Sequence, residues 1–126
     1  MNVNKPLTKA EEQVMLVLWK LGKGFLKDII DLTPEPRPHP NTIATLLKIL
    51  SEKGFVEYEV QGRNNLYKPR IGKTEYGKKG INQLVKGYFD GSPAKLVSQF
   101  VSDNKLSIKE LEDLLQQIKT SKNLEP

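Results

Sequence analysis

The sequence has no cysteine and only one histidine among its 126 residues. The lack of cysteine excludes disulfides, thiolate metal sites and cysteine nucleophiles, and it agrees with a reducing compartment. His39, the one histidine, lies in the proline-rich stretch TPEPRPHP without the partner groups that acid–base catalysis needs. These absences argue against an enzyme, and we expect no metal ion and no cofactor.

Long apolar runs are missing as well. No segment approaches the roughly 20 apolar residues of a membrane-spanning helix, and the start MNVNKPLTKAEEQ has no apolar signal core. With 37% apolar and 28% charged residues, the chain has the composition of a soluble globular protein. We expect a cytoplasmic protein without membrane insertion. Its net charge of +5 favours a polyanionic partner such as nucleic acid or an anionic membrane surface.

Capping signals and apolar spacing predict three helices in the first half of the chain. They cover about residues 8–21, 26–32 and 40–53, with a capping box at the start of the first and a proline at the start of the third. From residue 55 the apolar period changes to two, QGRNN supplies a turn, and LYKPR completes a two-stranded β-ribbon.

Helical spacing returns after Ile71. Ser92 and Pro93 have the form of a cap and a first helical residue, and Ser107 and Glu110 repeat the capping-box spacing. Two helices carry apolar residues that we expect to face inward, namely Ile81, Leu84, Val85, Tyr88, Leu96, Val97, Phe100 and Val101. In a last helix, four residues repeat at the 3-4-3 spacing of a paired-helix seam: Ile108, Leu111, Leu115 and Ile118. Such a seam needs a cover, which either a second copy of the chain or the preceding helices could provide.

The third predicted helix has an outer face of mostly small residues. Its apolar residues gather on one side at 100° per residue, whereas Asn41, Thr45 and Lys48 gather on the other and Ala44 flanks that outer face. Thr42 completes the set of candidate DNA contacts on this helix. Asparagine can bond an adenine edge, threonine and alanine methyls can contact the thymine methyl, and lysine can reach guanine or phosphate. An ordinary polar helix face can have the same composition, so the helix alone does not decide.

The ribbon that follows favours DNA binding. Arg63 at its tip could enter a minor groove or contact a phosphate, and Lys68 extends the positive charge along the ribbon. Three helices followed by a ribbon are the parts of a winged helix-turn-helix module. We therefore predict a mostly α-helical protein with a small β-ribbon. We expect the winged helix-turn-helix domain, which binds double-stranded DNA, to cover residues 1–72, and a separate helical domain to cover residues 73–126.

Three blocks of the sequence resemble the penicillinase-repressor family, the BlaI/MecI/CopY group of bacterial transcriptional regulators. They are LTKAEEQVMLVLWKLG, HPNTIATLLKILSEKGFVEYEVQGRNNLYKPRI and YFDGSPAKLVSQFVSDNKLSIKELEDLLQQI, and together they span almost the whole chain. The resemblance implies a homodimeric repressor in which each N-terminal winged helix reads half of a dyad operator. It also implies that the C-terminal helices of residues 73–126 form a dimerisation domain that pairs the subunits, in agreement with the seam at Ile108, Leu111, Leu115 and Ile118.

The chain departs from the family pattern at several positions. His39 stands where the family often has Ser or Thr, and Asn41 stands where a basic residue often follows the proline, which implies different operator bases. Copper-sensing members carry paired cysteines, which this chain lacks. Members that respond to β-lactams are cut by a membrane sensor-protease at an Asn-Phe bond. The matching bond here joins Gln99 and Phe100, so the resemblance does not carry this cleavage over directly.

Two alternative functions remain open from the residues. A ligand-responsive winged-helix regulator would need an effector pocket, which Tyr76, Tyr88 and Phe89 could line, although aromatic residues more often belong to a core. A protein-interaction module could use the winged helix as a scaffold, and its DNA affinity would then not depend on Asn41, Thr45 or Arg63.

Overall fold

The computed structural model describes residues 6–122, with side chains up to residue 120. In chain order the elements are α1 (Lys9–Leu21), β1 (Gly24–Phe25), α2 (Leu26–Leu32), α3 (Pro40–Glu52), β2 (Val56–Gln61), β3 (Asn64–Pro69), α4 (Lys73–Tyr88), α5 (Pro93–Ser102) and α6 (Ile108–Lys122). This order confirms a mostly helical protein with a small β-structure. The chain divides into two compact units between Lys78 and Lys79, inside α4. None of the helices within residues 6–122 is long and apolar enough to cross a lipid bilayer.

Local capping groups set the helix ends in the first unit. Thr8 Oγ1 accepts a hydrogen bond from the Glu11 amide at 3.1 Å, and Glu11 Oε1 accepts one from the Thr8 amide at 2.9 Å. This reciprocal pair satisfies two amides that the start of α1 would otherwise leave without partners, and it confirms the predicted capping box. At the start of α3, His39 Nδ1 accepts from the Asn41 amide at 3.1 Å, and Pro40 occupies the first helical position.

The β-structure contains one strand more than the sequence predicted. The sheet is antiparallel with strand order β1-β3-β2, so β3 lies between the short β1 and the hairpin partner β2. Gly24 pairs with Tyr67 and Phe25 pairs with Leu66. A two-residue strand carries no periodicity of its own, and its pairing depends on where β3 lies in the folded chain. The predicted two-stranded ribbon is therefore the larger part of a three-stranded sheet.

The first unit is built around one hydrophobic core. Its buried apolar residues come from the three helices, from β2 and from the segments beside it: Val14, Met15, Val17, Leu18, Ile29, Ile43, Leu47, Leu50, Phe55, Val56 and Ile71. Burying one such side chain contributes about 1.5–3 kcal/mol, so this cluster holds α1, α2, α3 and the sheet together.

Trp19 and Tyr76 extend this core towards the start of α4. Their ring centroids lie 6.0 Å apart, and Tyr76 also meets Phe55 edge-on at 5.6 Å. Trp19 Nε1 donates to the Ile71 carbonyl at 2.8 Å, while Tyr76 Oη accepts from the Leu7 amide at 3.1 Å. Both half-buried aromatic rings thus pack against the core, and their polar atoms are hydrogen-bonded, as the burial of Trp and Tyr side chains favours.

The second unit contains the later part of α4 together with α5 and α6. Ser92 Oγ caps α5 by accepting from the Lys95 amide, and Pro93 is its first helical residue, as predicted. Ser107 and Glu110 form the predicted capping box at the start of α6, with both hydrogen bonds at 3.0 Å. Each of these helix starts is therefore stabilised by residues adjacent in the sequence.

The apolar faces in the second unit are less buried than the sequence predicted. Val85 is buried, but Val97 and Phe100, both expected to face inward, are exposed, and so are Ile81, Leu84 and Tyr88. The helical spacing of these residues is present, as the predicted helices require. An amphipathic face is buried only when another surface covers it, and the described part of the single chain does not cover these faces.

Candidate nucleic-acid interface

The inner side of α3 is fixed in the core, and this determines which of its residues face outward. Ile43, Leu47 and Leu50 are fully buried, so the helix cannot turn about its axis without exposing them. Of the five residues predicted to contact DNA on this helix, Asn41, Thr45 and Lys48 lie on the opposite side, and Thr42 and Ala44 lie at its two edges. Four are exposed and Ala44 is half-buried, the set being Asn41, Thr42, Ala44, Thr45 and Lys48. The structure therefore brings these residues to one surface.

Local hydrogen bonds restrict what the start of α3 can offer a ligand. Thr45 Oγ1 donates to the Asn41 carbonyl at 3.0 Å, so its proton is already in use. Thr45 can then present its methyl group and oxygen lone pairs to a base. The Asn41 side chain is exposed, and an exposed primary amide can donate and accept at once, as bidentate pairing with adenine requires.

The β2–β3 hairpin holds Arg63 at its tip. Gln61 pairs with Asn64, which leaves Gly62 and Arg63 as a two-residue turn. Gly62 has a φ of +65°, a conformation that side chains rarely tolerate and that suits glycine at the first central position of a tight hairpin turn. Arg63 is exposed and extends beyond the paired strands. It is the basic residue of the hairpin best placed to reach a second groove or a phosphate.

Lys68 lies on the same hairpin with part of its charge compensated. Its Nζ is 3.5 Å from Oε1 of Glu57, the residue directly opposite on β2. Both side chains remain largely in water, where such pairs contribute about 0–1 kcal/mol and exchange readily. Lys68 can therefore still turn towards a phosphate, although the Glu57 carboxylate competes for it.

A buried ion pair that the sequence did not reveal ties α1 to the end of α3. Lys53 Nζ lies 2.8 Å from Glu11 Oε1 and 2.9 Å from Oε2, and the Glu11 side chain is almost completely buried. Burial raises the pKa of Glu11, but hydrogen bonds from Lys53 and from the Thr8 amide outweigh this effect and leave the pKa below its ordinary range. The charged carboxylate thus ties α1 to the C-terminal end of α3. Only the capping spacing of Glu11 was visible in the sequence.

In the second unit the predicted seam lies at the surface. Ile108, Leu115 and Ile118 are 65%, 48% and 44% exposed, Leu111 is half-buried, and Leu114 beside them is also exposed. Within the described residues, the preceding helices therefore do not cover the seam. That the seam pairs two subunits stays a prediction.

The bond between Gln99 and Phe100 lies inside α5. Gln99 Nε2 donates to Asp103 Oδ1 at 3.1 Å, and about half of Phe100 is exposed. A protease binds its substrate in an extended form, so cutting here would require local unwinding of α5. No contact in the structure tests whether this bond corresponds to the family's cleavage site.

The three aromatic residues considered for an effector pocket have different surroundings. Tyr76 packs in the core of the first unit against Trp19 and Phe55. Tyr88 is 80% exposed, and with Phe89 it borders a shallow surface depression near the start of α5. Tyr76 thus has a structural role. Among residues 6–122, no group of three or more acidic or histidine side chains could hold a metal ion.

Comparison with known proteins finds similar sequences along most of the chain. The penicillinase repressor family model matches residues 7–120. The penicillinase repressor of Bacillus licheniformis is 28% identical over 118 residues, which make up 93% of this chain and 92% of that protein. The methicillin resistance regulatory protein MecI of Staphylococcus aureus strain N315 is 25% identical over 114 residues, or 90% of this chain and 93% of that protein.

A solved structure shares the fold of part of the chain. The solution structure of the DNA binding domain of the repressor BlaI matches with a TM-score of 0.50 and 31% sequence identity. The match covers 56% of this chain and 87% of that domain. It confirms the predicted winged helix.

Proposed function

Because the chain belongs to the penicillinase repressor family, we propose that it represses transcription as a homodimer bound to a dyad operator. The family is one of DNA-binding transcriptional repressors and not of enzymes, and the chain is a repressor of this kind. What we propose beyond this is the dimer, its binding to a dyad operator, and separate roles for α3 and the hairpin in contacting DNA.

The exposed small-residue face of α3 is the observation that carries the proposal. Asn41 and Thr45 lie in its first turns, where a helix that enters the major groove makes its base contacts. The face has no long acidic side chain over these turns that would keep it away from phosphates. Arg63 supplies a cation on the hairpin, so base reading and backbone contact come from separate elements.

The exposed seam of α6 supports the dimer. Its four residues follow one stripe of the helix, and contiguous apolar surface of this kind on a folded chain marks an interaction site. Two copies pairing through the same stripe would form a symmetric interface and would present two copies of α3 to the DNA. A dimer of this form requires an operator with two related half-sites.

Competition binding tests whether α3 reads the base sequence while the hairpin contacts the DNA backbone. We expect Asn41→Ala to weaken binding to the preferred operator by about 1–3 kcal/mol per half-site while changing binding to a scrambled duplex little. Arg63→Ala should weaken both by similar factors, since phosphate and groove contacts carry little sequence information. Both measurements use one salt concentration.

Two other results would contradict the proposal. If Asn41→Ala leaves the specificity ratio unchanged while Arg63→Ala collapses it, the hairpin reads the sequence and α3 does not. If neither change affects DNA binding, the first unit acts as a protein-interaction module.

A further inference from the structure

A cleft lies between the second half of α3 and the β2–β3 hairpin. It has a volume of about 400 Å³ and is lined by Lys48, Ser51, Glu52, Tyr58, Asn65 and Tyr67. Its α3 wall continues the helix that carries the proposed base-reading face, and its other wall belongs to the hairpin that carries Arg63. The cleft therefore lies between the two elements that are proposed to contact DNA.

The hairpin wall of the cleft offers neutral hydrogen-bond donors. Tyr58 and Tyr67 are directly opposite each other in the strand pairing, with ring centroids 5.8 Å apart. Asn65 Nδ2 donates to Tyr67 Oη at 3.4 Å, so that oxygen acts as an acceptor and keeps its own proton for another partner. Tyr58 is 52% exposed, so its side chain is accessible to a ligand.

We propose that this cleft binds the sugar–phosphate backbone of the operator strand between the two grooves, with Tyr58, Asn65 and Tyr67 as the donors. The inference rests on the proposed DNA-binding function and adds residues to it. Tyrosine hydroxyls and asparagine amides are common donors to phosphate oxygens. Lys48, at the α3 edge of the same cleft, supplies the cation that a phosphate needs nearby.

Glu52 limits where the phosphate can lie. It is the acidic residue of the cleft lining, and it is in the last turn of α3. Its carboxylate repels a phosphate, so the strand passes on the side of Lys48 and Tyr58. Glu52→Gln should therefore strengthen binding to operator and scrambled DNA by a similar factor, because it removes a repulsion that does not depend on base sequence.

The salt dependence of binding separates this contact from the cationic ones. A neutral donor releases no counterion, so Tyr58→Phe should weaken DNA binding by about tenfold for each bound subunit without changing the slope of log K against log salt. Arg63→Ala should instead lower that slope by about one for each phosphate that the arginine no longer neutralises. Phenylalanine keeps the ring against Tyr67, so the hairpin packing is preserved.

Tyr88→Phe is the matched control, since Tyr88 is an exposed tyrosine outside the cleft. If Tyr58→Phe binds DNA as tightly as Tyr88→Phe while the wild type shows normal operator binding, the cleft proposal is overturned and the proposed function stands. The same holds if Tyr58→Phe changes the salt slope as Arg63→Ala does. A wild-type chain that binds no duplex would instead refute the proposed function and this inference together.

Discussion

Replacing Lys53 by methionine should destabilise the first unit by about 2–3 kcal/mol at neutral pH. The change keeps most of the aliphatic stem and removes the cation that both Glu11 oxygens contact at 2.8 and 2.9 Å. Removing one partner of a fully buried pair typically costs about 3–5 kcal/mol. The Lys53 side chain is 19% exposed, so water can partly solvate the Glu11 carboxylate once the ammonium group is removed. We therefore expect a cost at or just below the lower end of the range for a fully buried pair.

The pH dependence of this cost follows from the pKa of Glu11, which lies below its ordinary range in the folded protein. A lowered folded pKa means that the pair stabilises the fold fully above the unfolded value of about 4.3, and that this stabilisation is lost as pH falls through the folded pKa. In Lys53→Met, burial of the carboxylate is no longer offset by the ammonium group. The difference between wild type and variant should therefore be large at pH 7 and shrink in acid.

Urea unfolding followed by the fluorescence of Trp19 measures this difference. Trp19 is the only tryptophan of the chain, and it lies in the first unit against Tyr76, so its signal reports on this unit. The double variant Glu11→Gln, Lys53→Met is the control, because it removes the buried charge as well and should recover part of the loss. A cost below about 0.5 kcal/mol at pH 7, or one that does not change between pH 7 and pH 3.5, would refute the reasoning.

Two further predictions concern the second unit and α4. The double change Leu111→Asp, Leu115→Asp should convert the dimer into a monomer in sedimentation experiments and weaken operator binding. The Trp19 unfolding transition should not change, because it reports on the first unit. A wild-type chain that is a monomer at micromolar concentration would refute the dimer proposal. Gly80→Ala should raise the melting temperature by stabilising α4 by about 0.5–1 kcal/mol, because a methyl at this helical position meets no neighbouring atom within 4 Å. A lower melting temperature would show that this position is covered in the assembled protein.

Much of the local structure was determined by the sequence itself. The spacing of Thr8 and Glu11 and that of Ser107 and Glu110 predicted two helix starts, and both capping boxes are present. The glycine in the QGRNN turn predicted the hairpin. Such features could be read directly because a cap or a tight turn depends on residues within about four positions of one another. The outer face of α3 followed from the same local regularity, since 100° per residue separates its two sides.

The remaining features required the tertiary structure. β1 exists because Phe25 meets Leu66, and α3 is anchored because Glu11 meets Lys53, 42 positions away. The cleft beside Tyr58 likewise requires α3 and the hairpin to be packed against the same core. Nothing in the local pattern of these residues identifies their partners. A contact between distant segments is stable only after the core has brought those segments together, so only the folded chain decides which side chains meet.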